Sequence, residues 1–169
     1  MRLFIAINFD DNIKKVLAEK IKELKNIAEK GTFTDTANLH LTLAFLGEVN
    51  TPFDAQMAIE KTEASRFIIT LGESGKFYRD DGDIYWVGIK KNEQLNNLQK
   101  DLSNNLKNLG FKLEDRKFTP HITLARRVIC SEKLSAMPEV SMTADKISLM
   151  KSERINGKLI YTEIYNKKL

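Results

Sequence analysis

Apolar residues open the chain as a short continuous run, Leu3-Phe4-Ile5-Ala6-Ile7-Asn8-Phe9, which stops at Asp10-Asp11. Such a run, ended by acidic capping residues, predicts a buried strand followed by a helix start. Ile13, Val16, Leu17, Ile21, Leu24, Ile27 and Ala28 then recur at helical spacing, with lysines and glutamates between them and Gly31 as the expected terminator. Beyond a polar stretch, His40-Leu41-Thr42-Leu43-Ala44-Phe45-Leu46-Gly47 has the residue types of a strand. Thr51-Pro52 predicts a second, shorter helix with proline in its first turn. Residues 66–71 and 76–79 read as two strands around Gly72 and Gly75, and Asp81-Gly82-Asp83 as a turn.

The second half repeats the opening plan. Ile84-Tyr85-Trp86-Val87-Gly88-Ile89 predicts a strand. Residues 92–109 carry Leu95, Leu98, Leu102, Leu106 and Leu109 on one helical stripe, ended by Gly110, and His121-Ile122-Thr123-Leu124-Ala125-Arg126 predicts another strand. His121 follows His40 by 81 positions, and Ile84 follows Leu3 by the same 81. Strand, helix and histidine-bearing strand thus recur in one order at one spacing, which predicts two lobes related by a pseudo-twofold axis. Two further strands, at 143–150 and 158–165, are expected to form a hairpin through Asn156-Gly157, a dipeptide suited to a two-residue turn. No linker separates the halves, so one domain spanning residues 1–169, made of two interleaved lobes, is expected.

Candidate chemistry lies in the repeat. The chain has two histidines, and each is followed by the same arrangement: His40-Leu41-Thr42-Leu43 and His121-Ile122-Thr123-Leu124. A single strand histidine is ordinarily a packing or surface residue, and a strand threonine ordinarily reflects β propensity. The duplicated context argues otherwise. In a strand, residues two apart share a face, so each histidine and its threonine project together while the intervening apolar residues turn to the core. If the lobes face each other, two imidazoles and two hydroxyls surround one point. Cleaving a cyclic phosphodiester with water needs one group to take a proton from water and another to supply a proton to the departing ribose oxygen. Two imidazoles near pKa 6.5 meet both needs without a metal. Thr42 and Thr123 are then expected to donate hydrogen bonds to the nonbridging oxygens.

Composition supports this reading only modestly. With 42% hydrophobic and 30% charged residues, the 169-residue chain has the balance of a globular protein able to bury its own core. The formal charge of +4 and pI near 9.1 favour an anionic partner weakly. No apolar run reaches membrane-span length, and the opening segment turns acidic too soon for a signal peptide, so a cytoplasmic location without membrane contact is expected. The single cysteine, Cys130, excludes an intramolecular disulfide and a thiolate cluster, and is expected as a small packed side chain. Zinc is the rival use of two histidines, but it needs three or four ligands, and no cluster of His, Cys or carboxylates completes such a set in the sequence.

Taken together, MRLFIAI, LHLTLAFLGEV, Tyr85-Trp86-Val87-Gly88, Phe118-Thr119-Pro120-His121-Ile122-Thr123-Leu124-Ala125-Arg126 and Leu149-Met150-Lys151-Ser152 resemble the two-histidine (2H) phosphoesterases, specifically the RNA 2′,3′-cyclic phosphodiesterases, also called 2′-5′ RNA ligase-like proteins. The resemblance covers essentially the whole chain. It implies a bilobal α+β fold, with two mostly antiparallel sheets around a central cleft and helices outside. It also implies that His40 is the proton donor to the leaving 3′ oxygen, that His121 is the base activating water, and that Arg126 lies near the phosphate. Strand alternation sets Arg126 on the face opposite His121 and Thr123, so a bulge or a long reach would be required. Phe33 stands near the place where the family commonly has a tryptophan, while Phe4 and Tyr85 occupy matching places in the two halves and are candidates to line the cleft.

The expected function is hydrolysis of a 2′,3′-cyclic phosphate to a 2′-phosphate, with 2′-5′ joining as the reverse reaction. The expected partners are RNA ends or nucleotides with such a phosphate, met by a monomer without a cofactor. The competing readings are an RNA-binding module without catalysis and a phosphodiesterase for a small cyclic nucleotide.

Overall fold

A computed structural model describes all residues, Met1–Leu169. Three α-helices, α1 (Asp11–Ile27), α2 (Phe53–Lys61) and α3 (Glu93–Asn108), accompany nine strands: β1 (Arg2–Asn8), β2 (Lys30–Phe33), β3 (His40–Glu48), β4 (Phe67–Phe77), β5 (Asp83–Ile89), β6 (His121–Ile129), β7 (Ser141–Ala144), β8 (Lys146–Ile155) and β9 (Lys158–Lys168). The strands form two sheets, ordered β3-β1-β8-β9 and β2-β6-β5-β4-β7, with every pairing antiparallel. This is the α+β, two-sheet arrangement that the resemblance implies.

The long helices form where the apolar stripe and caps agree. The Asp10 carboxylate accepts from the Ile13 N–H at 2.8 Å, and α1 buries Ile13, Leu17, Ile21 and Leu24. Asn92 caps α3 in the same way through Leu95 N–H at 2.9 Å, and Leu95, Leu98, Leu102 and Leu106 face inward. One apolar cluster joins these stripes to the inward faces of both sheets, including Leu3, Ile5, Ile7, Leu41, Leu43, Val87, Ile122 and Leu124. The repeat is topological as well as sequential. β1 is joined by α1 to β3, and β5 by α3 to β6, and in each half the histidine strand pairs with the strand that precedes its helix.

Several sequence expectations are corrected. Gly31 does not end α1: Ala28 turns extended at φ −80 and ψ 140, and Gly31 lies inside β2, which pairs with β6. The second helix begins at Phe53, with Pro52 just before it. Gly72 and Gly75 do not separate two strands but lie within the single strand β4. They are needed there for close approach: a Cβ on Gly72 would press on β5 backbone at 3.3 Å, and one on Gly75 would meet the Trp86 indole at 2.4 Å. The expected strand at 143–150 is two strands, β7 in the five-stranded sheet and β8 in the four-stranded one. The expected hairpin does form: Asn156 at φ 51 and Gly157 at φ 81 are the left-handed pair of a two-residue turn, and Ile155 faces Lys158 across it. No helix is long and apolar enough to cross a membrane.

Candidate active site

The two histidines begin their strands, and each is oriented by the residue two before it. Nδ1 of His40 lies 2.7 Å from the Asn38 carbonyl oxygen, and Nδ1 of His121 lies 2.8 Å from that of Thr119. A carbonyl oxygen only accepts, so Nδ1 carries the proton in both rings and Nε2 is the atom left to gain or lose one. The carbonyls are themselves held. Asp35 caps the short turn Thr36–Asn38, and the Asn38 amide donates to Leu159 O on β9 at 2.8 Å. Thr119 precedes Pro120, which favours extended backbone at that residue.

Aromatic rings support both imidazoles. Phe4 lies 4.7 Å and Tyr161 5.2 Å from the His40 ring, centre to centre, with Phe4 and Tyr161 packed edge to face at 4.8 Å. Phe77 meets His121 edge-on at 5.1 Å and leans on Trp86 at 5.3 Å. The Trp86 ring lies over Gly75, and its indole Nε1 is buried with no hydrogen-bond partner.

Twin bulges shape the cleft face of both histidine strands. On β3, Thr42 faces Ala6 and Ala44 faces Ile5, so Leu43 is the extra residue; on β6, Thr123 faces Trp86 and Ala125 faces Tyr85, so Leu124 is the extra residue. Each bulge reverses the alternation that follows it. Leu124 and Ala125 are both buried, and Arg126 emerges exposed on the face of His121 and Thr123. The bulge that strand alternation would require for Arg126 is therefore present. By the same device Phe45 emerges on the face of His40 and Thr42.

The paired registers also correct the match between Phe4 and Tyr85. Asn8 faces His40 while Gly88 faces His121, so β1 and β5 correspond with an offset of 80 (88 − 8), one less than the histidines. A one-residue difference reverses the face. Tyr85 is buried in the core at 6% exposure, and Trp86 takes the cleft side. Phe33 is half-buried against the core and does not serve the cleft.

β3 and β6 lie against each other, bringing the two motifs together from different sheets. Burial is the largest influence holding the His40 pKa below 6.5; the Asn38 hydrogen bond opposes it, and Arg126 and His121 lower it further. His121 is likewise lowered, first by burial, then by Arg116 and Arg126, against the Thr119 hydrogen bond. Arg126 thus acts on both imidazoles. Neither Arg126 nor Arg2 forms an ion pair with a carboxylate. The halves differ in one bond: Nε2 of His40 lies 2.9 Å from Thr42 Oγ1, whereas Nε2 of His121 has no protein partner.

Sequence reading brings His40, Thr42, His121, Thr123 and Arg126 together and misses Asn38, Thr119, Phe77 and Tyr161. The first two of these share a legible sign, a position two before a motif histidine. Phe77 and Tyr161 meet the histidines only because β5 pairs with β6 and β8 with β1, pairings between distant segments.

Comparison with known proteins fits this geometry. The profile of the 2′-5′ RNA ligase superfamily matches residues 13–156. A Thermotoga maritima protein named RNA 2′,3′-cyclic phosphodiesterase is 30% identical, over 98% of this chain and 94% of its own length. A crystal structure of Escherichia coli LigT complexed with 3′-AMP superposes with a TM-score of 0.85 at 27% identity, covering 99% of this chain and 97% of that one. A Thermus thermophilus protein shares the fold with a TM-score of 0.87 at 23% identity, covering 100% of this chain and 98% of that one. With that profile matching most of its length, the chain belongs to the 2′-5′ RNA ligase superfamily.

Proposed function

We propose that this protein is an RNA 2′,3′-cyclic phosphodiesterase that opens the cyclic phosphate to a 2′-phosphate by metal-free acid and base catalysis. The observation that carries the reading is the pair of imidazoles, each with Nδ1 bound to a carbonyl and Nε2 as its working atom, on two strands that lie together. The superfamily and the relatives' name support the reaction class.

His121 is the base. Its burial and two neighbouring guanidinium groups favour the neutral ring, and Nε2 is free to receive a proton from water. Water oxygen bonds to phosphorus, the bond from phosphorus to the ribose 3′ oxygen breaks, and Nε2 of protonated His40 supplies the proton that this oxygen takes up. Substrate binding assists protonation of His40, because an anionic phosphate opposes the lowering exerted by Arg126. Once Nε2–H of His40 turns to the leaving oxygen, the Thr42 hydroxyl is released to donate to a nonbridging oxygen, alongside Thr123 and Arg126. A ribose 5′-hydroxyl attacking phosphorus in place of water, with the 3′ oxygen leaving and taking its proton as before, would give a 2′-5′ joint.

Two imidazoles whose Nδ1 atoms are committed offer one nitrogen each, and no group of three or more His, Cys, Asp or Glu side chains gathers to complete a metal site. RNA with a cyclic end, assayed with excess chelator, tests the proposal. Wild-type protein should give the 2′-phosphate, and His40→Ala and His121→Ala should each lower kcat/KM by about 10³-fold with circular dichroism unchanged. Near-wild-type turnover in either variant would refute the assignment.

A further inference from the structure

The cleft face of the four-stranded sheet continues past the reacting centre. Arg2 faces Ser152 on β8, and Ser152 in turn faces Tyr161 on β9, so the three lie in one row across the sheet and point to one side. Phe4 is two residues from Arg2 on β1 and shares that side, as do Thr42 and His40 through their pairing with Ala6 and Asn8. The face therefore runs from His40 and Thr42, past Phe4 and Tyr161, to Arg2 and Phe45. Each step of two strand residues advances about 7 Å, a span that one extended nucleotide can cover.

The Arg2 guanidinium and the Tyr161 hydroxyl have no hydrogen-bond or ion-pair partner in the protein, although the rings beside them are packed. Arg2 stacks over the Phe45 ring at 5.0 Å and pairs with no carboxylate; the nearest cross-strand acid, Glu48, is taken by the N-terminal amine at 3.3 Å. Phe45 is 46% exposed although it lies in a strand whose neighbours Leu43 and Ala44 are buried, because the Leu43 bulge turns it outward. The Tyr161 hydroxyl has no hydrogen-bond partner, while its ring is fixed between Phe4 and His40. Arg126, from the opposite sheet, and Arg2 are the cations that act on this phenol. A planar cation on an exposed ring, next to an unpartnered hydroxyl, is the chemistry that receives a phosphodiester and a stacked base.

We infer that Arg2, Tyr161 and Phe45 form a subsite for the strand upstream of the cyclic end. The Arg2 guanidinium and Tyr161 hydroxyl hold the phosphodiester that joins the terminal nucleotide to its 5′ neighbour, and Phe45 receives that neighbour's base. The inference rests on the phosphodiesterase reading and adds to it the residues that recognise the RNA behind the terminal nucleotide.

The test compares kcat/KM for a short single-stranded oligoribonucleotide with a cyclic end and for the corresponding 2′,3′-cyclic mononucleotide. Wild-type protein should favour the oligonucleotide by about tenfold or more, the scale of one stacked base. Arg2→Gln, Phe45→Ala and Tyr161→Phe, the last keeping the ring against His40, should each bring that ratio most of the way to one. The preference of the wild type should also shrink as salt is raised, since a phosphate contact is being screened. A merely structural role would slow both substrates together and leave the ratio alone, which would overturn the subsite, as would equal wild-type rates on the two. Absence of turnover on either substrate would instead remove the phosphodiesterase reading itself, and the subsite with it.

Discussion

Thr42 Oγ1 lies 2.9 Å from Nε2 of His40, while the corresponding hydroxyl of Thr123 makes no such bond to His121. Two motifs with the same spacing and the same bulge are therefore not equivalent in the resting protein. Thr42→Val should displace the imidazole nitrogen resonances of His40 in a ¹⁵N NMR spectrum of the free protein, while Thr123→Val leaves those of His121 in place. Both variants should still lower kcat by about 10²-fold, because in the proposed mechanism each hydroxyl donates to a phosphate oxygen. Equal spectral effects in the two variants would show that the bond to Thr42 is not kept in solution.

The pH dependence follows from the direction of both histidine shifts. In the proposed mechanism the free enzyme with one proton shared by the pair is the active form, and burial holds both rings below 6.5. The maximum of kcat/KM against pH should fall on the acid side of 6.5. Bound phosphate raises His40, so the alkaline limb of kcat should lie at higher pH than that of kcat/KM. A kcat/KM maximum above neutrality would contradict the assignment of the pair.

The same shifts carry a stability signature. Both rings have folded pKa values below the unfolded 6.5, so the unfolded chain binds more protons in the window between them. Stability should fall as pH drops through that window and should be fully recovered above it. Urea midpoints at about pH 7.5 and about pH 5 should differ less in a His40→Gln/His121→Gln variant than in the wild type. An equal acid loss in the variant would assign the effect to carboxylates.

A structural clamp lies elsewhere, on α1. Nζ of Lys20, whose side chain is 7% exposed, meets Glu23 at 2.8 Å and the Ser135 carbonyl oxygen at 2.9 Å, and Glu23 also accepts from the Ser135 hydroxyl at 2.8 Å. The Lys20 hydrogen bond, with that of the Ser135 backbone, lowers the Glu23 pKa to about 2. Glu23→Ala leaves a buried ammonium without its anion and should destabilise the fold by about 3 kcal/mol. Lys20→Met, which removes the charge with the pair, should cost less, as thermal unfolding of the two variants would register.

Much of this architecture is legible in the residues, and what is not has a common cause. The α1 and α3 stripes and the Asn156-Gly157 turn are local signals, and they appear within a residue or so of the expected places. The histidine repeat is equally local in each half. Arg126, Tyr85 and Trp86 required more, because their faces depend on which residue bulges in a pairing between distant segments. β2 is only four residues long and gains its identity from β6. The glycines of β4 look like turn residues in isolation; their role is set by a ring and a strand that arrive from the next element.

Gly75 couples the packing of β4 to the position of His121. It faces Trp86 across β4 and β5, and the indole occupies the space where a Cβ would stand, at 2.4 Å from Cη2 and 2.5 Å from Cζ2. Gly75→Ala must therefore lift the indole from the sheet. Trp86 supports Phe77 at 5.3 Å, and Phe77 meets His121 at 5.1 Å, so the displacement passes by contact to the proposed base. Overpacking of this kind costs about 1–3 kcal/mol of stability, which a folded protein can survive. The catalytic loss should be larger than that of a distant variant with the same melting temperature, about tenfold in kcat, because a base displaced by a fraction of an ångström no longer addresses the attacking water. Trp86→Phe introduced with Gly75→Ala removes the part of the indole that collides and should restore most of the rate. If Gly75→Ala lowers the melting temperature yet leaves kcat untouched, the chain of rings does not position His121.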